Sequence, residues 1–343
     1  MIQLKRGNLL EAEVEALVNT VNTVGVMGKG IALQFKKAYP ENYKAYARAC
    51  KLGEVTLGKM FVYERAQLVG PKYIINFPTK KHWRGKARLE DIAQGLVDLV
   101  NVIKERQIKS VAIPPLGCGN GGLEWVDVRE LIEMSMNAVP DVQLLLYPPQ
   151  EKPKASRMRV ATAPPGWTAA RAALVTAFSR YLVPGYTLSL LEAQKLAYFL
   201  QSAGEPLNLE FVKSKYGPYA ERLNHLLQRI EGHFIYGYGD RTTKAAITLN
   251  PSAAKEADAI LTYNHTTQDH LARVTKLIEG FETPYALELL STVHWLANED
   301  VHVRSDVDAA IASVHSWSQR KRGKFPREHI ERAWERLRSL SWI

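Results

Sequence analysis

A chain of 343 residues with a net charge of +10 has room for two domains, and its balance favours a polyanionic partner such as nucleic acid. Apolar residues make up 46% of it, the share of an ordinary globular protein with sizeable cores. There is no basic-apolar leader, no apolar run of roughly eighteen residues, no paired Cys/His spacing, and only Cys50 and Cys118 as cysteines, so the expectation is a cytoplasmic protein without membrane span, structural disulfide, metal or cofactor.

In chain order, MIQLKRGNLL and EALVNTVN read as strands, and a long helix is predicted from about Gly30 to Lys51. KMFVYE and KYIINFP are short apolar strands. Ile92, Leu96, Leu99, Val100 and Ile103 recur at helical spacing in the next stretch. KSVAIPPL is a buried strand, WVDVRELIEMSMNAV a helix and VQLLLYPP a last strand. This alternation predicts a layered α/β domain over residues 1–150 with a largely buried sheet.

A Pro-, Lys- and Ala-rich segment without periodicity predicts a linker over 151–168. Residues 169–343 read as mainly helical. LSLLEAQKLAYFLQSAG is amphipathic, and FVKSKYGPYAERLNHLLQRIEG is a second helical stretch interrupted at Gly217-Pro218. Two β-prone runs around Gly239-Asp240 predict a small hairpin. Further helices are expected over 253–267, 268–280, 284–298, 307–320 and 327–340. His225, His233 and His265 read as ordinary helix or loop residues.

Two loops carry the chemistry. VNTVGVMGKGIAL leaves an apolar strand, crosses Gly25, Gly28 and Gly30, and enters a helix. IPPLGCGNGGLEW does the same with Gly117, Gly119, Gly121 and Gly122. Glycine admits positive φ and close approach of a ligand to the backbone, so successive N–H groups can converge on an anion at a helix start. Two such cradles fit a pyrophosphate. The GxGxxG and GK[ST] patterns are absent from GVMGKG, which disfavours hydride transfer and NTP hydrolysis.

These two stretches, in this order, resemble the macrodomain family, which binds ADP-ribose. The resemblance implies a three-layer α/β/α macrodomain with a mixed sheet. It sets Asn8 at the adenine, where many relatives have Asp, and Asn22 at the proximal ribose. Gly28, Lys29, Gly30 and Ile31 match the first phosphate loop. Gly117, Cys118, Gly119, Asn120, Gly121 and Gly122 match the second. Tyr147 ends the last strand, with two roles open to it: stacking on adenine, or covering the core as a strand-end aromatic.

NFPTKKHWRGKARLE gathers Lys80, Lys81, His82 and Trp83 at the same sheet edge. A lysine beside other cations and partly desolvated has a lowered pKa, and can serve as acid, base or nucleophile. PTKKHWR is similar to the loop of macrodomains that remove ADP-ribose from glutamate esters, and of DarG-type antitoxins; their catalytic lysine falls on Lys80. The ester-cleaving relatives carry an aspartate in the second glycine loop where this chain has Gly121. The DarG type lacks that acid too and acts on ADP-ribosylated thymine in DNA. Lys81, Arg84, Lys86 and Arg88 suit phosphates; Trp83 or His82 can stack on an unpaired base, with packing the other role open to Trp83.

In the second half, EAQKLAYFLQSAGEPLNLEFVKSKYGPYAERL resembles the SocA-like, or Panacea, antitoxin domain through Gln194, Lys195, Leu196, Tyr198, Phe199, Gly204, Pro206, Leu207 and Tyr216-Gly217-Pro218. A macrodomain joined to such a domain resembles a DarG-type antitoxin. That resemblance implies hydrolysis of the bond between ADP-ribose and thymine, with Lys80 and Asn22 as catalytic residues. The implied partners are ADP-ribosylated, single-stranded DNA and a DarT-type toxin held by the C-terminal domain. Two alternatives stand beside it: a reader that binds ADP-ribose without turnover, and a hydrolase of ADP-ribosylated Glu or Asp on proteins.

Overall fold

Alternate residues of four buried strands face opposite helix layers, and this alternation builds the first half. The computed structural model describes residues 2–66, 69–149, 159–239 and 244–343. Six strands form one sheet: β1 (Ile2–Leu4), β2 (Ala16–Asn22), β3 (Phe61–Glu64), β4 (Tyr73–Lys80), β5 (Ser110–Ile113) and β6 (Gln143–Leu146). Their order is β1-β6-β5-β2-β4-β3; all neighbours are parallel except β3 against β4. One face presents Ala16, Val18, Ile75, Phe77, Val111 and Leu144 to α3 (Leu89–Glu105) and α4 (Trp125–Met136). The other presents Leu17, Ile74, Ala112 and Leu145 to α1 (Gly30–Ala38). This is the predicted three-layer α/β/α arrangement with a mixed sheet.

The single helix expected from Gly30 to Lys51 is two. Tyr39 leaves helical geometry at φ −135°, and Pro40 opens α2 (Pro40–Lys51). Proline lacks the N–H of a helix interior and biases the residue before it away from the α region.

The described residues divide into two compact units, one reaching Ala163 and the other comprising Pro164–Gly239 with Lys244–Ile343. Residue 150 and residues 151–158 of the expected linker lie outside the described residues. On its far side Ala161 N donates to Lys37 O (2.9 Å) in the first unit. Trp167 stacks on Phe234 at 3.9 Å, and Thr168 caps α5 (Ala169–Tyr181) in the second unit.

The second unit is mainly helical. α6 (Leu190–Ser202) begins with a reciprocal Ser189–Glu192 capping box. The next stretch, expected to be helical on both sides of Gly217-Pro218, starts instead as a hairpin of β7 (Val212–Ser214) and β8 (Gly217–Tyr219), and becomes α7 (Glu221–Ile230) only afterwards. Gly217 sits at φ +93°, a conformation no helix uses. The predicted small hairpin is present as β9 (Ile235–Tyr236) against β10 (Thr248–Leu249); Asp240 of its expected turn lies outside the described residues. There follow α8 (Pro251–Leu261), α9 (His265–Ile278), α10 (Pro284–Glu299), α11 (Val301–Ser305), α12 (Val307–Trp317), α13 (Gln319–Lys324) and α14 (Arg327–Ser339). The helix expected to reach residue 267 stops at Leu261, because Asn264 caps the next one by accepting from Thr267 N. Among the described residues no helix is long and apolar enough to cross a membrane.

Candidate active site at the carboxyl edge of the sheet

Five parallel strands bring their carboxyl ends to one edge, where ligands of open α/β sheets bind. Along the order β1-β6-β5-β2-β4 this edge carries Asn8, Tyr147, the loop 114–124, the loop 23–29 and Lys80. Strands lie about 4.8 Å apart, so the row spans roughly 19 Å and suits an extended ligand.

Asn22 closes β2 and folds the first loop back on itself. Its Oδ1 accepts from Val24 N (3.1 Å) and Val26 N (3.3 Å), and its Nδ2 donates to Val26 O (2.6 Å). The amide expected at the ribose is therefore engaged with its own loop. Tyr46 of α2 donates its hydroxyl to Asn22 O; burial raises its pKa, which keeps that proton in place. Gly25, at φ +82°, lies against α2, where a β-carbon would be 3.3 Å from Cys50 Cβ. Gly30 opens α1 at φ +62°, preceded by Lys29, whose side chain does not cap the helix. Ile31 packs half-buried against the cluster of Leu17 and Phe35.

In the second loop Leu123 N donates to Gly117 O (3.1 Å) and Gly122 N to Gly119 O (3.3 Å). A β-carbon at Gly121 would lie 2.3 Å from Gly117 O and 2.9 Å from Ala87 Cβ. That position admits glycine alone while the loop keeps this path, whereas Gly119 faces open space. Burial pushes the Cys118 thiol up to about 11, with Glu124 adding to it, so the thiol stays protonated at neutral pH.

A bulge decides where Lys80 goes. Val21 pairs with Pro78, but Asn22 pairs with Lys80, leaving Thr79 as the extra residue. Lys80 Nζ donates to Gly85 O and to Asn120 O, both at 3.1 Å. Burial lowers its pKa. Ala87 N donates to Gly121 O (3.0 Å), and Thr23 donates from N and Oγ1 to Lys81 O (3.1 and 2.9 Å). Three loops thus form one connected wall. Beyond it Trp83 is 45% exposed, which rules out a core packing role, with Arg84 4.5 Å above its ring and His82 5.2 Å away.

At the other end Asn8 caps a short 3₁₀ turn, Leu9–Glu11, accepting from Leu10 N (3.1 Å) and donating to Glu11 (3.0 Å). The Tyr147 ring is buried with Leu9, Leu10 and Leu145. Sequence reasoning missed a buried network under the first loop. Asn19 donates to Asn76 (3.0 Å), Asn76 to Asn42 (2.7 Å), and Asn19 lies 3.8 Å from the sulfur of Met27. The signal was available as asparagines inside apolar strands, in VNTVN and INF.

The macro domain family matches residues 18–132. A curated DNA ADP-ribosyl glycohydrolase of Thermus aquaticus is 49% identical over 337 residues, covering 98% of this chain and 93% of its own length. The chain belongs to the DNA ADP-ribosyl glycohydrolase family. The solved macrodomain of Mycobacterium tuberculosis DarG is 61% identical to this glycohydrolase, covering 44% of this chain and 99% of that one with a TM-score of 0.43. A DNA ADP-ribosyl transferase-DNA ADP-ribosyl glycohydrolase fusion protein of Thermosipho africanus is 34% identical over 166 residues, 44% of this chain and 42% of its own. The first unit of this DNA ADP-ribosyl glycohydrolase is its macrodomain.

Proposed function

We propose that this glycohydrolase cleaves the bond between ADP-ribose and a thymine base in single-stranded DNA, and that its second unit binds the DarT-type transferase that makes the bond. The observation that carries the hydrolytic reading is the bulge at Thr79. It sets Lys80 opposite Asn22 and directs its ammonium to the carbonyls of Gly85 and Asn120. In this reading the adenine lies toward Asn8 and Tyr147. The diphosphate meets the backbone of 28–31 and 117–122, and the anomeric carbon faces Lys80.

Cleavage of such a bond passes through an oxocarbenium-like state, and negative charge develops on the departing thymine nitrogen. The lowered pKa of Lys80 makes its ammonium a readier proton donor to that nitrogen. Water adds to the anomeric carbon and returns a proton to the lysine, so atoms and charge balance. Asn22 acts through the loop it holds. The crowding at Gly121 leaves no place for the acid of the ester-cleaving relatives, which favours a base over a carboxylate as leaving group.

Lys81, Arg84, Lys86 and Arg88 are exposed around Trp83, as a strand with an unstacked base requires. The partner reading is supported by the fusion relative, in which a transferase and a glycohydrolase share one polypeptide. The deciding assay follows release of ADP-ribose from a modified thymidine oligonucleotide. Lys80→Ala is expected to slow release by at least about a hundredfold and to bind ADP-ribose within a few-fold of wild type. Undiminished release would remove Lys80 from the mechanism.

A further inference from the structure

The second unit carries a cationic face that hydrolysis does not use. It is built by the hairpin β7–β8 and the helix α13. Trp317 Nε1 donates to Ser214 O (3.1 Å), fixing the hairpin to the end of α12. Lys213 stands 4.6 Å over the Trp317 ring, and Tyr216 lies between Lys215 (5.4 Å) and Arg320 (4.5 Å). Lys213, Lys215, Tyr216 and Arg322 are all exposed.

The charge there is not balanced. Arg320, Lys321 and Lys324 all converge on one carboxylate, that of the buried Glu288, at 2.7, 3.0 and 2.8 Å. Three cations against one anion leave an excess behind the surface. Lys195 lies deeper, donating to Pro218 O at 2.7 Å; burial and the charge of Lys321 push it down to about 7. An exposed ring flanked by cations is what a single strand requires: the ring stacks on a base, and the cations meet its phosphates.

We propose that this face of the second unit is a separate contact for single-stranded DNA, independent of ADP-ribosylation. A protein partner that itself handles DNA would present positive charge, and like charges across an interface repel; the face therefore fits the nucleic acid and not the transferase. The proposal does not rest on the hydrolytic reading, because an unmodified strand is the ligand.

The test uses the full chain and a fluorescein-labelled, unmodified oligothymidine, read by anisotropy between about 50 and 200 mM salt, with salt dependence interpreted as phosphate contacts. The triple variant Lys213→Glu, Lys215→Glu, Arg322→Glu is expected to bind at least about tenfold more weakly. Its salt slope is expected to be shallower by about 2, at roughly 0.7 for each lost contact to a single strand. Tyr216→Ala is expected to weaken binding roughly tenfold with the slope unchanged, the mark of stacking. If the reversed-charge chain melts early, the three glutamine substitutions carry the test instead. Three results overturn the proposal: no binding by wild type, binding unchanged by the triple variant but abolished by Lys81→Glu with Arg84→Glu, or a triple variant that keeps DNA and loses the transferase. The mechanism is read by release of ADP-ribose and this face by binding of an unmodified strand, so failure of the one and failure of the other are told apart.

Discussion

Gly121 shows how one missing side chain shapes a loop. Its neighbours leave no room for a β-carbon, since Gly117 O would lie 2.3 Å away. Overpacking of this severity costs about 1–3 kcal/mol where the structure yields, and here what must yield is the wall holding Asn120 and Lys80. Gly121→Ala is therefore expected to lower the melting temperature by several degrees and weaken ADP-ribose binding by at least about tenfold, measured by thermal unfolding and calorimetric titration. Native-like binding by that variant contradicts the steric argument. Lys80 depends on its surroundings in the same way. Its lysine identity is visible in the sequence, but its direction comes from Thr79, the residue that bulges out of the β2–β4 ladder.

At the scale of an element, α10 is organised by one acid. Burial works against a charged Glu288, but Arg320, Lys324 and Lys321 together hold its carboxyl down at about 2. Further along the same helix, burial holds His294 down at about 4, its Nδ1 2.7 Å from the Tyr198 hydroxyl. Both folded-state values lie below the ordinary 6.5 for histidine and 4.5 for glutamate. The stability tied to each is complete above its ordinary value and is lost as the pH falls toward the folded one. The second unit is thus expected to lose thermal stability progressively from about pH 6.5 downward; a midpoint that rises between pH 6 and 4 contradicts the linkage. Glu288→Ala strands three cations and is expected to cost about 3–5 kcal/mol in denaturant unfolding at neutral pH.

At the scale of the whole molecule, the two units have separate cores. Residues such as Val18, Ile75 and Leu144 fill one, and residues such as Phe178, Phe199 and Leu290 fill the other. A fragment of residues 164–343 retains Trp167, which stacks on Phe234 and donates to Glu256 (2.8 Å). It is expected to co-elute with the DarT-type transferase on size exclusion; two separate peaks would count against that partner. What the sequence determined by itself was local and periodic. The α/β alternation, the two glycine loops and the lysine-rich loop are patterns of side-chain type, and such patterns follow from burial and backbone freedom alone. What only the tertiary structure decided was pairing. The bulge that brings Lys80 opposite Asn22, the Tyr46 hydroxyl on Asn22 O, the Ala87 side chain against Gly121 and the Trp317 contact to Ser214 of the hairpin each join atoms far apart in the chain. Register and close approach between distant segments leave no periodic trace, because they are set by the segment across the contact and not by neighbours in sequence.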